Sequence, residues 1–328
     1  MAKLSDIGER EAIQLLMRTF DRGQPIGLGH DCGVVEWGED YLVITTDVVN
    51  PRTHIPKGSR PEQVGWYFVA VNLSDIAAAG ARPLGFVAAL SLPPSTEVDF
   101  LKGLARGIEA CAREFGIAVL GGDTKEADMV SLAGTAVGRV RKDRILLRKG
   151  ARPGDAIVVT GDLGRAGLAY LQLGNPTTRL EGIEQLLHPC PRVREGQIFS
   201  RSGAVTSCMD ISDGLGLSLA QMAAMSGLSY TVEWEKLPLY EPLKSLPKDR
   251  QRECALYSGG DFELVATVKP EAVAGLIGRM NERHRGAHRP LTLIGKVGKP
   301  GPNFLAEGGK REPLQGRGWE HFRPSHSG

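Results

Sequence analysis

Apolar residues at helical spacing predict a long helix that begins near Pro61. Val64, Phe68 and Val71 follow the spacing of one helix face, which is expected to pack against a core. Proline is frequent in the first turn of a helix, and glycine is frequent just beyond its end. Pro61 and Gly80 therefore mark the limits of a helix of about five turns.

One charged residue interrupts this apolar segment. In "VNLSDIAAAGARPL", residues 71–84, Asn72 and Asp75 are three positions apart and so share one face of the helix. A buried aspartate is unfavourable unless another group pairs with its carboxylate. The pattern therefore predicts that Asp75 faces a partner group in the folded protein.

Strand and helix patterns occur in both halves of the chain. "GEDYLVITTDVV" predicts a hairpin turn followed by a β-branched strand that ends at Asp47. A basic connector rich in glycine and proline, "LLRKGARPGD", places a domain boundary near residue 150. Helices are expected at "EREAIQLLMRTF" and around Leu168, Ile198 and Leu219. Further strands are expected at "LGFVAALSL", "IAVLGGDT", "MVSLAGTAVGRV", "AVTSCMDI", "LVATV" and "LTLIGKV". The fold class is mixed α and β, and the order of segments is too irregular to predict a doubly wound sheet.

Composition and charge exclude several classes of function. The chain has 328 residues, enough for two ordinary domains, and a formal charge of +2. This balance gives no support for a protein that binds nucleic acid or membrane surfaces. The five cysteines are scattered without a CxxC pair, which favours reduced thiols over a disulfide framework or a zinc site. Without a recognisable signal peptide or spanning segment, a soluble, cytoplasmic protein is expected.

Six aspartates share a local pattern, because each lies at a strand end, beside a glycine or on an apolar helix face. They are Asp31, Asp47, Asp75, Asp123, Asp210 and Asp213. Taken singly, each is explained as a turn or capping residue. As a set they predict more, because clustered carboxylates raise one another's pKa unless cations neutralise them. Mg²⁺ prefers carboxylate, water and phosphate oxygens. With Thr45 and Thr46 as further oxygen donors, the residues predict a multi-metal phosphate site.

Nucleotide-binding and nucleophile motifs of the common kinds are missing from the sequence. Neither GxxxxGK[ST] nor GxGxxG occurs, although "LGGDT" and "SGG" could present backbone N–H groups to a phosphate. No GxSxG or HExxH signature is present. Sequence alone favours a solvated linker charge for Arg148 and a loop position for His54.

Several motifs together resemble the thiamine-monophosphate kinase family, which is part of a superfamily of ATP-using proteins that includes aminoimidazole ribonucleotide synthetase. They occur in the order "GLGHDCGVV", "VITTDVVNPRTH", "AVNLSDIAAAGARP", "LGGDT", "RKGARPGDAIVVTGDLG", "MDISDGL" and "SGGDFEL". The resemblance extends from about residue 5 to "GWEHF", nearly the whole chain. "NLSDIAAAGA", "TTD" followed by His54, and "GWEHF" indicate the thiamine branch of the superfamily.

The resemblance implies an α+β fold of two mixed α/β domains. Residues 1–149 would form an N-terminal domain that binds ATP and metal and forms the dimer, with strands that pair with a second subunit to close a β-barrel. Residues 150–328 would form a larger C-terminal α/β domain. The implied reaction is transfer of the γ-phosphoryl group of ATP to thiamine monophosphate, with several Mg²⁺ ions, in a homodimer.

The resemblance also implies roles for individual residues. The implied metal ligands are Asp31, Thr45, Thr46, Asp47, Asp75, Asp123, Asp210 and Asp213. The aspartates implied to act in catalysis are Asp47, Asp75, Asp123 and Asp210. ATP contacts are expected from Gly122, Asp123, Arg148 and Ser212, and substrate contacts from His54, Asp261 and Trp319. On this basis Mg²⁺ is the expected partner of Asp75.

Two differences from the family pattern keep alternative functions open. His30 stands in "GHD" where the family has "GDD", and "GGDFEL" is one residue shorter than "GGEDYEL", which leaves Asp261 as the nearest candidate acid. One alternative is a relative that uses ATP with another phosphate acceptor. A second is a non-catalytic protein that binds nucleotide or thiamine phosphate. Selenophosphate synthetase and the hydrogenase-maturation relative are disfavoured, because the cysteines that they need are missing.

Overall fold

The computed structural model describes residues 2–20, 26–283 and 291–322. The strands among these residues form two sheets, one from each half of the chain. The fold is therefore mixed α and β, as predicted. Within the described ranges, no helix combines the length and the apolar character needed to cross a membrane.

The first half contains a five-stranded sheet in the order β1-β2-β5-β3-β4. Neighbouring strands are antiparallel except β3 and β4, which are parallel. The strands are β1 (Gly33–Trp37), β2 (Asp40–Val49), β3 (Arg82–Leu92), β4 (Ala118–Glu126) and β5 (Ser131–Arg141). The helices are α1 (Leu4–Phe20), α2 (Pro61–Ala78) and α3 (Val98–Glu114).

The second half contains a seven-stranded sheet in the order β12-β11-β8-β10-β6-β9-β7. Its strands are β6 (Ala156–Val159), β7 (Val205–Asp210), β8 (Tyr230–Glu233), β9 (Leu264–Val268), β10 (Thr292–Val297), β11 (Phe304–Glu307) and β12 (Lys310–Pro313). Its helices are α4 (Arg165–Leu173), α5 (Arg179–Leu187), α6 (Val193–Ser202), α7 (Leu215–Ser226), α8 (Lys248–Arg252) and α9 (Val273–Arg283).

Helix α2 lies at the centre of the molecule and has the limits that the sequence predicts. Pro61 occupies its first turn, and Gly80 reverses the chain just after its end with φ 69°. Two glycines let α2 and α3 pack closely. A Cβ added at Gly65 would collide with the backbone of Leu104, and one at Gly107 would collide with the carbonyl oxygen of Glu62.

The same helix joins the two halves of the core. A single cluster of buried apolar residues contains Phe68 and Ile76 of α2 together with Val158, Phe199 and Leu264 from the second half. Burial of apolar surface is the main favourable contribution to folding, so α2 is held from both sides. Polar residues on α2 are thereby placed between the two sheets.

Candidate active site

Helix α2 and strand β2 bring the first site residues together. Thr45 Oγ1 donates a hydrogen bond to Asp75 Oδ2 at 2.5 Å. The backbone N–H of Asp47 donates to Asn72 Oδ1 at 3.2 Å, and Asn72 Nδ2 donates to the carbonyl oxygen of Phe68 at 3.0 Å. Asn72 and Asp75 therefore share one face of α2, as the sequence predicts, and that face contacts β2.

Three aspartates from distant parts of the chain converge at this point. Asp31, Asp75 and Asp210 each present a carboxylate oxygen, and these oxygens lie within 4.8 Å of one another. Asp210 ends strand β7 with 2 % of its surface exposed, and its Oδ2 accepts a hydrogen bond from Ser74 Oγ at 2.7 Å. These three aspartates, which we call the carboxylate group, thus come from a loop, a helix and a strand.

Burial and mutual repulsion make this carboxylate group a strong candidate for cation binding. Burial, followed by the charges of Asp47 and Asp210, raises the pKa of Asp75 well above its usual range. The pKa of Asp210 is raised to about 8, chiefly by burial and then by the charge of Asp31. Burial also raises the pKa of Asp47 to about 6. Several ionised carboxylates in one buried site require positive charge, and their hard oxygens suit Mg²⁺.

Arg148 supplies part of that positive charge. Its Nη2 donates to Asp31 Oδ1 at 2.9 Å, and its Nη1 donates to Gln221 Oε1 at 3.0 Å. The backbone N–H of Arg148 donates to His30 Nδ1 at 3.2 Å, so the "GHD" and "RILLRKG" segments are in contact. Only 20 % of the Arg148 side chain is exposed. The interpretation of Arg148 as a solvated linker charge is therefore wrong.

A cavity of about 210 Å³ lies against the carboxylate group. Its lining includes a group of aromatic side chains and the polar residues Asp47, Asp75, Asp210, Ser212 and Asp213. The aromatic group consists of His54, Tyr67, Trp319 and His321.

Contacts within the aromatic group connect it to the aspartates. The ring centroid of His321 lies 5.8 Å from that of His54 and 5.9 Å from that of Trp319. The backbone N–H of Trp319 donates to the carbonyl oxygen of Asp213 at 3.0 Å. Burial lowers the pKa of His54 to about 4, so its ring is neutral at pH 7. The cavity thus offers carboxylates that could hold metal ions beside flat rings that could contact an organic group.

Other residues named from the sequence lie outside the lining of this cavity. Gly122 and Asp123 lie within β4, whose nine residues are all exposed. Thr46 Oγ1 donates to the carbonyl oxygen of Gly134 at 2.7 Å, so this hydroxyl is bound to strand β5. Asp261 accepts hydrogen bonds from the backbone N–H groups of Gly164 at 2.7 Å and of Ala166 at 2.9 Å. The Asp261 carboxylate therefore caps the start of α4.

Sequence reasoning missed several residues of the cavity wall. The cavity lining also contains Glu9, Tyr67, Tyr170 and His321, none of which was predicted from the sequence to be a site residue. His321 is two positions from Trp319 in "GWEHF", which was a usable signal. No pattern marked Glu9, because its position depends on how the two ends of the chain meet.

Two family models match the chain. AIR synthase related protein, N-terminal domain, matches residues 29–140, and AIR synthase related protein, C-terminal domain, matches residues 152–303. The fold and the carboxylate-lined cavity thus define a two-domain AIR synthase related protein.

Full-length relatives narrow this class. A thiamine-monophosphate kinase of Pyrococcus horikoshii is 34% identical over 321 residues, which covers 98% of this chain and 98% of the relative. One of Pyrococcus abyssi is 36% identical over 316 residues, with 96% of each chain covered. A solved structure described as AaThiL complexed with AMPPCP and TMP has a TM-score of 0.82 at 29% identity and covers 98% of this chain and 99% of that one. The chain belongs to the thiamine-monophosphate kinase family.

Proposed function

We propose that this protein transfers the γ-phosphoryl group of ATP to thiamine monophosphate and so forms thiamine diphosphate. One observation carries the proposal: a carboxylate group and an aromatic group line the same cavity in a chain of this family. The AaThiL structure, described as complexed with AMPPCP and TMP, supports a site that takes a nucleotide and an acceptor together.

The metal site is part of the same proposal. Asp31, Asp75 and Asp210 would hold Mg²⁺, with Asp47 and Asp213 as further ligands. Bound Mg²⁺ would neutralise the charge of the phosphates of ATP and of the acceptor. Thr45 orients Asp75 through its hydroxyl, and Ser74 orients Asp210. We assign the catalytic effect to Asp47, Asp75, Asp123 and Asp210 as a set, because phosphoryl transfer depends mainly on positioning and electrostatics.

The acceptor would bind against the aromatic group. The thiazolium and pyrimidine rings of thiamine are flat, and an indole face suits both of them. Trp319 would contact these rings, and His54 would contact the phosphate side of the acceptor as a neutral hydrogen-bonding group. The acceptor oxygen belongs to a phosphate that is already ionised, so the transfer needs no strong general base and no enzyme nucleophile. We therefore propose direct in-line transfer.

Nucleotide contacts and the homodimer are proposed together. Ser212 lines the cavity and Arg148 binds Asp31, so both lie near the carboxylate group. Gly122 and Asp123, the other proposed ATP contacts, lie on the exposed edge strand β4.

The same edge strand is the proposed site of dimer formation. Leu120 on β4 is 61% exposed, and exposed apolar edges favour pairing with another chain. A second copy that pairs there would close the proposed β-barrel. Sedimentation of the Leu120→Asp variant should then show a monomer where the unmodified protein is a dimer.

The domain limits and the location in the cell are also proposals. A boundary at residues 149 and 150 is supported by the two sheets, which draw on separate halves of the chain. The described cysteines are all free, which supports a reducing compartment such as the cytoplasm.

A turnover assay tests the proposed function. Purified protein, ATP and Mg²⁺ are incubated with thiamine monophosphate and with a small panel of other phosphates, and each product is identified. We expect thiamine diphosphate to be the main product. Turnover with another acceptor alone, or calorimetric binding of ATP and thiamine monophosphate without product, would contradict the proposal.

A further inference from the structure

Glu9 reaches the cavity because helix α1 is broken beside it. Gly8 has φ 77° and ψ 176° inside α1, a backbone conformation that side-chain-bearing residues rarely adopt. Gly8 is also buried, so the break is packed against the rest of the protein. Immediately after the break, Glu9 lines the cavity together with the aromatic group.

Hydrogen bonds to the C-terminal segment hold Glu9 in this place. Glu9 Oε2 accepts a hydrogen bond from the backbone N–H of His321 at 2.9 Å. The adjacent Arg10 donates from its backbone N–H to Glu320 Oε1 at 3.5 Å. The His321 ring is tilted against that of His54 and meets that of Trp319 edge-on, so the hydrogen bond to His321 holds the Glu9 carboxylate near the rings proposed to receive the acceptor.

The negative charge of Glu9 indicates that a positively charged part of the ligand lies next to it. The other carboxylates that line the cavity are Asp47, Asp75, Asp210 and Asp213, and all four are proposed metal ligands. Glu9 is bound instead by the backbone N–H of His321, and, second to burial, its negative charge also raises the pKa of Asp213. A further negative charge in a cavity that receives phosphates is unfavourable unless a positive part of the ligand faces it.

We propose that Glu9 is a specificity-determining residue that faces the positively charged thiazolium ring of the acceptor. This inference rests on the proposed function, since it assigns a part of that same acceptor to a carboxylate of the cavity wall. An ion pair with the ring would favour a quaternary thiazolium over a neutral heterocycle that carries the same phosphate.

The test compares Glu9→Gln with Glu11→Gln. Glutamine keeps an oxygen that can accept the His321 N–H, so the Glu9 variant loses the charge and little else. Glu11 is an exposed residue of the same helix and provides the matched control. We expect Glu9→Gln to raise the KM for thiamine monophosphate about tenfold, which corresponds to about 1.4 kcal/mol, and Glu11→Gln to change it by less than about twofold.

A neutral ligand separates charge recognition from a structural role. The inhibition constant of a thiazole phosphate without the ring charge, measured against thiamine monophosphate, should be nearly the same in the unmodified protein and in Glu9→Gln. Equal weakening of both ligands, equal KM values in the Glu9 and Glu11 variants, or a raised Mg²⁺ requirement without a change in KM would overturn the inference. If the unmodified protein does not phosphorylate thiamine monophosphate at all, the proposed function is wrong. That outcome is distinct from the results above, which would overturn only the role of Glu9.

Discussion

Ser74 Oγ donates a hydrogen bond to Asp210 Oδ2 at 2.7 Å, although the two residues are 136 positions apart in the sequence. Ser74 belongs to helix α2 of the first half, and Asp210 ends strand β7 of the second half. The carboxylate group is therefore built where the two halves of the chain meet. Its geometry depends on how α2 packs between the two sheets.

This contact leads to the prediction that Ser74→Ala weakens the metal site. Loss of the donor leaves Asp210 less well oriented and costs about 1 kcal/mol of stability. We expect more Mg²⁺ to be needed for half-maximal activity. Ser218→Ala is the matched control, since Ser218 Oγ donates to the backbone carbonyl oxygen of Asp210 and not to its carboxylate. An identical Mg²⁺ requirement in the two variants would contradict the prediction.

The cap of α4 predicts a change of stability with pH. Burial raises the pKa of Asp261 to about 7, and the backbone N–H groups of Ala166 and Gly164 only partly oppose it. In the unfolded chain this carboxyl has a pKa of about 3.9, so from about pH 4 to pH 7 the folded state retains a proton that the unfolded state has lost. The free energy of unfolding should fall as pH rises through this window, by up to about 1.4 kcal/mol per pH unit from this group.

Denaturant unfolding across that pH range checks this prediction. Asp261→Asn should reduce the pH dependence by this amount, because asparagine does not titrate. Its single carbonyl oxygen replaces only one of the two accepting oxygens, so the variant should also be less stable at every pH. The exposed Asp249→Asn serves as the control and should leave the slope unchanged. Equal slopes in the unmodified protein and in Asp261→Asn would show that the carboxyl is not held protonated.

Trp319 is predicted to contribute to acceptor binding through its indole face. It lines the cavity with 41% of its surface exposed, so the ring is accessible to a ligand. A cation–π contact with the thiazolium ring contributes about 0.5–2 kcal/mol. Trp319→Ala should therefore raise the KM for thiamine monophosphate by about two- to thirtyfold, and Trp319→Phe should give an intermediate value. The KM for ATP should barely change. A parallel rise of both KM values, or a loss of thermal stability alone, would mark Trp319 as a structural residue.

Direct in-line transfer predicts a sequential kinetic pattern. ATP and thiamine monophosphate must both be bound before either product leaves, because no residue of the protein carries the phosphoryl group. Initial rates measured over a grid of both substrate concentrations should give intersecting double-reciprocal lines. Parallel lines, or a phosphorylated protein isolated after incubation with ATP alone, would refute the mechanism.

The sequence predicted the elements with strong local signals. Pro61 and Gly80 mark α2 correctly, and the three-residue spacing of Asn72 and Asp75 correctly places both on one face of the helix. That this face meets β2 is shown only by the structure. Local periodicity is enough in these cases, because helix limits and helix faces depend on residues close together in the chain.

Features that depend on strand pairing or on distant contacts could not be predicted in this way. Strand β2 continues two residues beyond Asp47, where the sequence suggested its end, because Val48 and Val49 still pair with β5. Asp261 was expected to approach the substrate, yet its carboxylate caps α4, almost one hundred residues away in the chain. Arg148 was predicted from its local sequence to be a solvated charge, but in the folded protein its guanidinium binds Asp31, which is distant in the sequence.

Activity of Asp75→Asn over a wide range of Mg²⁺ concentrations tests the metal site, the central claim, most directly. Asparagine preserves shape and removes the charge, and neutralising one of several repelling buried carboxylates should leave unfolding cooperative. We predict that turnover of thiamine monophosphate falls by at least about a hundredfold and is not restored by added Mg²⁺. A folded Asp75→Asn protein with near-normal turnover across those concentrations would contradict the assignment of these aspartates to the metals of phosphoryl transfer.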